Sequence, residues 1–201
     1  MPRRTTIDRR LFQAVNNLPH TPYVDEQVTL LSDLGEGAGW VAGAAWLAVR
    51  DGGRGRRAAV ASVAAMLFAV GAVQGPIKRR LRRQRPFTHE VARVVGRRPL
   101  DFSFPSGHTA GSFAAAAALS CFYPRDAPLL LGTAAAVGAS RVYLGMHFPS
   151  DVLVGAGLGA AVGLLARRFV SRRSPAAPGA SDPRPAPPRT RSAPPAAPSR
   201  S

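Results

Sequence analysis

Three short polar segments hold the residues of this chain whose types and spacing could do chemistry, and the chemistry they suit is that of a phosphate group. The first is KRRLRRQRPF, residues 78–87, in which six of ten residues are cationic. Lys78 is the only lysine among 27 Lys and Arg residues, so a compact ammonium donor persists there against a strong arginine bias. Lys78 and Arg85 are seven residues apart, two turns of a helix that Pro86 would stop, so both are expected on one face. A lysine and an arginine placed in this way could hold two oxygens of a phosphate, the arginine bidentately. The cluster equally fits a topology anchor beside a membrane span, which is the reading for Arg79, Arg80, Arg82 and Arg83. Alanine at Lys78 or Arg85 should then cost far more activity than alanine at Arg80 or Arg83.

The second segment is FPSGHTAGS, residues 104–112. Pro105, Ser106 and Gly107 stand just before an apolar run, so backbone N–H groups and the Ser106 hydroxyl are expected at a helix N-terminus, a ready anion site. His108 would sit in the first turn beside the anion. The plainer alternative is a capped helix start with an incidental histidine. The third segment is ASRVYLGMHFPSD, residues 139–151. Arg141 lies near the end of an otherwise uncharged span, where an unpaired charge is costly, so it should face the protein interior and a partner. His147 and Asp151 are four apart. A helix starting around Pro149 would let the Asp151 carboxylate bond one ring nitrogen of His147 and leave the other free and nucleophilic. The alternative is an interfacial histidine and an aspartate favoured at a helix N-terminus. Each segment has its plain reading, but together three cations and a helix start define a phosphate cradle, and two histidines supply a nucleophile and an acid.

The elements that must position these residues are apolar helices. The chain has 201 residues, a formal net charge of +16 and a mean hydropathy near zero, an average that mixes Arg-rich blocks with runs of Ala, Val, Leu and Gly. Residues 58–77 contain no charge, and a span of about 20 apolar residues is what a membrane-crossing helix needs. Four further spans are read at about 37–49, 108–123, 127–144 and 149–166, the first weakened by Asp33 and Glu36. A soluble bundle would alternate apolar and polar faces, and residues 58–77 and 149–166 show no polar face. IDRRLFQAVNNL, residues 7–18, has helical apolar spacing and reads as an amphipathic interfacial helix. The expected fold is therefore all-α, a polytopic membrane bundle of about five transmembrane helices plus an N-terminal amphipathic helix. Residues 1–30 form the interfacial segment, 31–173 the membrane-embedded domain, and 174–201 a Pro/Ala/Ser/Arg tail expected to be disordered. The N-terminus lacks a signal-peptide h-region, so the first apolar span would itself direct insertion. Five crossings put the loops at 78–105 and 145–150 on one membrane side. Cys121 is the only cysteine, so neither an intramolecular disulfide nor a cysteine-based metal cluster is open to the chain.

The pattern K-x6-R-P, P-S-G-H, S-R-x5-H-x3-D resembles that of the type 2 phosphatidic acid phosphatases (PAP2), whose site is shared with bacterial non-specific acid phosphatases and vanadium haloperoxidases. It stands here as KRRLRRQRP (78–86), PSGH (105–108) and SRVYLGMHFPSD (140–151), with every signature position matched. The resemblance implies that Lys78, Arg85 and Arg141 bind phosphate oxygens and that the Ser106 hydroxyl and Gly107 N–H complete the cradle. It implies that His147 attacks phosphorus, Asp151 holds its ring, and His108 protonates the leaving oxygen and then activates water. No metal or other cofactor is implied. Membrane members of the family mostly have six helices, so the amphipathic segment substitutes for the sixth or the bundle is reduced.

Because Lys78, His108 and His147 lie at span ends, at headgroup depth, a lipid phosphate is the expected substrate: a polyprenyl phosphate or diphosphate, or a phosphatidic-acid-like glycerolipid. Alternatives are a sugar-linked polyprenyl phosphate, soluble phosphate esters, phosphotransfer, or a non-catalytic protein that binds anionic lipid. Nucleic acid is not an expected partner, since the arginines divide between both faces and the tail rather than forming one stripe. The same division leaves the positive-inside rule near a tie. Bacterial members usually place the site outside the cytoplasm, so the expected location is a bacterial plasma membrane with an extracytoplasmic site. The oligomeric state is not legible.

Overall fold

The computed structural model describes residues 6–172, which contain helices and no strands. The tail expected at 174–201 lies outside the described residues. In chain order the helices are α1 (Ile7–Asn16), α2 (Pro22–Asp33), α3 (Gly39–Arg50), α4 (Gly52–Ala72), α5 (Lys78–Leu81), α6 (Pro86–His89), α7 (Gly107–Phe122), α8 (Ala127–Tyr143) and α9 (Pro149–Arg172). The all-α expectation is met. Among the described residues, two helical stretches are long and apolar enough to cross a membrane, Gly52–Thr88 and Pro149–Ala166, and within their most apolar windows only 39% and 22% of residues are buried. Their outer faces expose Val60, Leu67, Phe68, Leu153, Leu164 and Leu165, a surface that water would not favour. With 16 and 17 residues, α7 and α8 are shorter than a full crossing usually requires.

Helix α7 is the central element, packed against α9, α4 and α8. Its alanines 110, 114, 115, 116, 117 and 118 are all buried, as expected of a helix apolar on every side. Small residues let α9 approach its backbone closely. A Cβ at Gly155, Gly159 or Gly163 would come within 2.6, 2.1 and 2.4 Å of the carbonyl oxygens of Ser106, Ala110 and Ala114. This seam of residues four apart brings the starts of α7 and α9 side by side, so that Ser106 N donates to Asp151 O at 3.0 Å.

Helix α4 leads through a π turn, Val73–Ile77, into α5. Pro76 in that turn has no N–H to give, and the widened turn absorbs its ring. The chain leaves α5 at Arg82, which adopts left-handed backbone (φ 44°). Lys78 and Arg85 therefore do not share one helix face; they converge because the chain reverses between them.

Helix α1 lies on the site end of the bundle, with fully buried Phe12 packed against Val142 and Phe148. Helix α2 runs through the boundary expected at residue 30. It begins at a cap in which Thr21 Oγ1 accepts from Val24 N (3.2 Å) with Pro22 in the first turn.

Candidate functional site

Among the described residues, the buried charged side chains are Lys78, Arg85, Arg141 and Asp151, and all four stand at one end of the bundle with buried His147. A buried charge must be paired or held for a ligand. Asp151 is amply paired. Its Oδ2 accepts from Phe148 N at 2.8 Å and from the Ser103 hydroxyl, and it lies 3.6 Å from His147 Nδ1. Its Oδ1 accepts from Arg83 Nη1 at 2.7 Å.

The three cations are less well matched. Lys78 Nζ and Arg85 Nη2 both donate to the carboxylate of Asp101, a loop residue that is 40% exposed. Burial would raise the Asp101 carboxyl, but the Lys78 hydrogen bond and the Arg85 charge outweigh it and hold the group below the usual carboxylate range. One carboxylate thus serves two buried cations. Arg85 also donates through Nε to Asp101 O and through Nη1 to Met146 O, both at 2.9 Å. Arg141 Nη1 donates to Ser32 Oγ at 2.5 Å, and the carboxylates of Glu36 and Asp33 attract it from further off. Its buried Nε finds no acceptor among the described residues. An orphan donor on a buried guanidinium, beside two cations sharing one carboxylate, is an incomplete anion site.

His147 is presented to this site by the turn that ends α8. Met146 N and His147 N both donate to Arg141 O, at 3.0 and 3.2 Å. Gly145 makes the turn with φ 77°, and a Cβ there would also lie 2.5 Å from Arg93 O, so only glycine suits the position. The ring's Nδ1 faces Asp151 and Ser103 Oγ (3.4 Å), while Nε2 faces Arg85 Nη1 at 3.3 Å. Nδ1 is the protonated nitrogen that suits Asp151, and the Nε2 lone pair is left toward the cradle. Burial, with Arg85 and Arg141 nearby, outweighs the pull of Asp151 and lowers the His147 pKa to about 4. The ring is therefore neutral at neutral pH.

Ser106 is the N-cap of α7. Its Oγ accepts from Thr109 Oγ1 at 2.9 Å and from Thr109 N at 3.5 Å, so the capping alternative holds for this residue. Accepting leaves its hydroxyl hydrogen to be donated elsewhere. Gly107 is buried at the first turn, where its N–H belongs to the unpaired set at a helix start. His108 turns its Nε2 toward Glu36 Oε2 at 3.7 Å.

All eight residues expected from sequence thus lie at this end of the bundle. Four others at the site were not anticipated: Asp101, Ser103, Arg83 and Asp8. Arg83 corrects the anchor reading, since its guanidinium bonds Asp151, Ser150 and Asp8. Arg79 and Arg82 remain exposed and donate to the carbonyls of Gly75 and Arg79, as anchors at a helix end would.

The sequence pattern of the PAP2 superfamily matches residues 59–175, more than half of the chain. Decaprenylphosphoryl-5-phosphoribose phosphatase of Mycobacterium tuberculosis is 41% identical over 98 residues, 49% of this chain and 54% of that protein. The protein of the same name from Mycolicibacterium smegmatis is 42% identical over 126 residues, 62% of this chain and 67% of its own length. The chain thus spans about half to two thirds of the length of these relatives. The crystal structure of Aquifex aeolicus LpxE superposes with a TM-score of 0.64 at 26% identity, covering 82% of this chain and 97% of that one.

Proposed function

The chain belongs to the PAP2 superfamily, and on that footing we propose that it is an integral membrane, metal-independent lipid phosphatase working through a phosphohistidine on His147. The observation that carries this reading is the unbalanced cradle: the buried cations Lys78 and Arg85 share the one exposed carboxylate of Asp101, and the third, Arg141, finds no acceptor for its Nε among the described residues. A phosphate placed there takes oxygens to Lys78, Arg85, Arg141 and the start of α7, with phosphorus against His147 Nε2. His147 attacks, the P–O bond to the lipid breaks, and His108 gives its proton to the departing oxygen. His108 then takes a proton from water, which attacks the phosphohistidine and frees inorganic phosphate with Nε2 restored. The cradle stabilises charge developing on the equatorial oxygens, a duty that a divalent metal would otherwise share.

The substrate class is a lipid phosphate. The two relatives above carry names for a decaprenyl-linked phosphate, which favours a polyprenyl carrier, with or without a sugar, over a glycerolipid. An apolar cavity of about 600 Å³ supports a lipid in either case. It runs along α3 from Gly35 at the site end to Arg50, Tyr123 and Asp126 at the other. We place the protein in a bacterial plasma membrane, with α3, α4, α7, α8 and α9 crossing it and the site on the extracytoplasmic side. Purified protein assayed in excess chelator should release phosphate from polyprenyl phosphate or diphosphate faster than from p-nitrophenyl phosphate. A preference for the soluble ester would move the reading to a general phosphatase.

Two further outcomes are expected here. Gly43 lines the cavity, and a Cβ added there meets nothing within 4 Å. Gly43→Phe should fill the cavity and lower kcat/KM for a long polyprenyl phosphate by about tenfold, with a much smaller change for p-nitrophenyl phosphate. Equal losses on both would separate the cavity from the substrate tail. Asp101 holds the donors that phosphate needs, so a phosphate binds only the fraction of molecules in which the carboxylate has moved away. Asp101→Asn should lower the inhibition constant of inorganic phosphate by roughly tenfold, as read by competition against lipid hydrolysis.

A further inference from the structure

Arg83 is one of four arginines between the two cradle residues Lys78 and Arg85, and nothing in its sequence setting distinguishes it from Arg79, Arg80 and Arg82. The structure does. The left-handed turn at Arg82 aims Arg83 back across the site end, where it is half-buried beneath α1 and against α9. Its Nη1 donates to Asp151 Oδ1 and to Ser150 Oγ, each at 2.7 Å, and its Nη2 donates to Asp8 Oδ2 at 2.6 Å. The guanidinium lies over the Phe148 ring, 4.3 Å from its centroid. Asp8 in turn accepts from Ser150 N at 2.9 Å and from Ser150 Oγ at 2.6 Å. Asp8 belongs to the first turn of α1, so the amphipathic helix is bonded directly to the residue beside Asp151. The backbone of Arg83 also takes part, since its carbonyl accepts from Ser103 N at 2.8 Å and Ser103 Oγ bonds the other Asp151 oxygen.

We propose that Arg83, steered by Asp8 of α1, is a positioning residue that fixes the Asp151 carboxylate and moderates its charge toward His147. This rests on the phosphohistidine reading of the site. Arg83 grips Asp151 on the oxygen away from His147, so it acts through Asp151 rather than on the substrate. Two consequences follow. Geometrically, a two-pronged guanidinium spanning Asp151 and Asp8 sets the carboxylate plane, which in turn sets the ring. Electrostatically, a cation against Asp151 weakens the stabilisation that this carboxylate gives to protonated His147. Removing it should make His147 more basic. The other charged groups facing His147 are Arg85 before α6, His108 on α7 and Arg141 on α8, with Lys78 and Asp101 across the cradle. None of these is altered by a change at Arg83.

The test is Arg83→Gln, with Arg83→Lys and Asp8→Asn beside it, in full-length protein in detergent. Phosphate release from the lipid substrate is followed across pH, and the four histidines are labelled with nitrogen-15 so that the His147 titration is read independently of turnover. Arg83→Gln should lower kcat by roughly tenfold to a hundredfold with little change in KM, and should move the acid limb and the His147 titration upward by about half to one pH unit. Arg83→Lys keeps the charge, so its acid limb should stay in place while kcat falls. Asp8→Asn should lower kcat several-fold in the native chain and add nothing to Arg83→Gln. A rise in KM at constant kcat would overturn the proposal in favour of direct substrate binding. An acid limb and titration left in place would overturn it in favour of a structural role. Should the native protein release no phosphate, the titration still decides the relay, so the two readings fail separately.

Discussion

Replacing His147 by asparagine is expected to lower lipid phosphate hydrolysis by about 10⁴-fold or more, with no loss of folded protein. The imidazole Nε2 is the proposed attacking atom, and it stands 3.3 Å from Arg85 Nη1 at the cradle. Asparagine can keep a donor toward Asp151 and Ser103, which limits the structural damage of emptying a buried site. The native enzyme should lose activity as acid protonates the same ring. With its pKa lowered to about 4 by burial and by the neighbouring guanidinium groups, His147 stays neutral above that value. The enzyme-linked acid limb of kcat/KM should therefore lie near pH 4, not near the usual histidine range. A limb near pH 6.5, after allowance for ionisation of the substrate's own phosphate, would mean a solvated ring and a different nucleophile.

Exchange of Arg85 for lysine is expected to lower kcat/KM by roughly 10² to 10³, although charge is conserved. Arg85 is 5% exposed and spreads its guanidinium over Asp101 O, the Asp101 carboxylate, Met146 O and His147 Nε2. A lysine ammonium reaches one or two of these positions and cannot span the fork. The Met146 carbonyl then loses a buried donor, and the phosphate loses the group that holds it against Nε2. Arg80→Ala is the control on the exposed side of the same segment, and it should change kcat/KM by less than about twofold. Steady-state kinetics on a polyprenyl phosphate measure both. Equal small losses would remove Arg85 from the phosphate site.

Much of this site was legible because its residues are unusual for where they stand. A lone lysine among arginines, a charge at the end of an apolar span, and a histidine four residues before an aspartate each depart from what composition alone supplies. Those departures located Lys78, Arg141, His147 and Asp151, and the structure gathers them. Lys78 and Arg85 converge as their spacing suggests, but through a chain reversal at Arg82 and not through one shared helix face. Pro76 inside the apolar run could have signalled a disturbed helix, but the reversal at Arg82 carries no sequence signal, since arginine is not a residue that favours left-handed backbone. For the same reason Arg83 could not be told from its neighbours.

Asp101 and Ser103 were missed because a loop residue's partners are set by contacts far along the chain, here with Lys78, Arg85 and Asp151. Helix α2 could have been found. Thr21, Pro22 and Asp25 are a cap, a first-turn proline and an early acidic residue. Ser106 was assigned to the cradle, yet its oxygen caps α7, and both duties fit one hydroxyl only if the hydrogen goes to the ligand. The helix count rested on hydropathy, and α3, with 12 residues, is short for a crossing on its own. It is preceded by a π turn, Leu34–Ala38, in which non-helical backbone at Gly37 (φ 170°) kinks the path from α2.

The most direct measurement is to trap the covalent intermediate. Purified protein would be mixed briefly with a polyprenyl phosphate labelled in its phosphorus, quenched in base, and the labelled peptide mapped. The account predicts base-stable, acid-labile label on His147, absent from His147→Asn and accumulating when His108 is replaced. Phosphate released with no label on the protein, or label on a hydroxyl side chain instead, would contradict it.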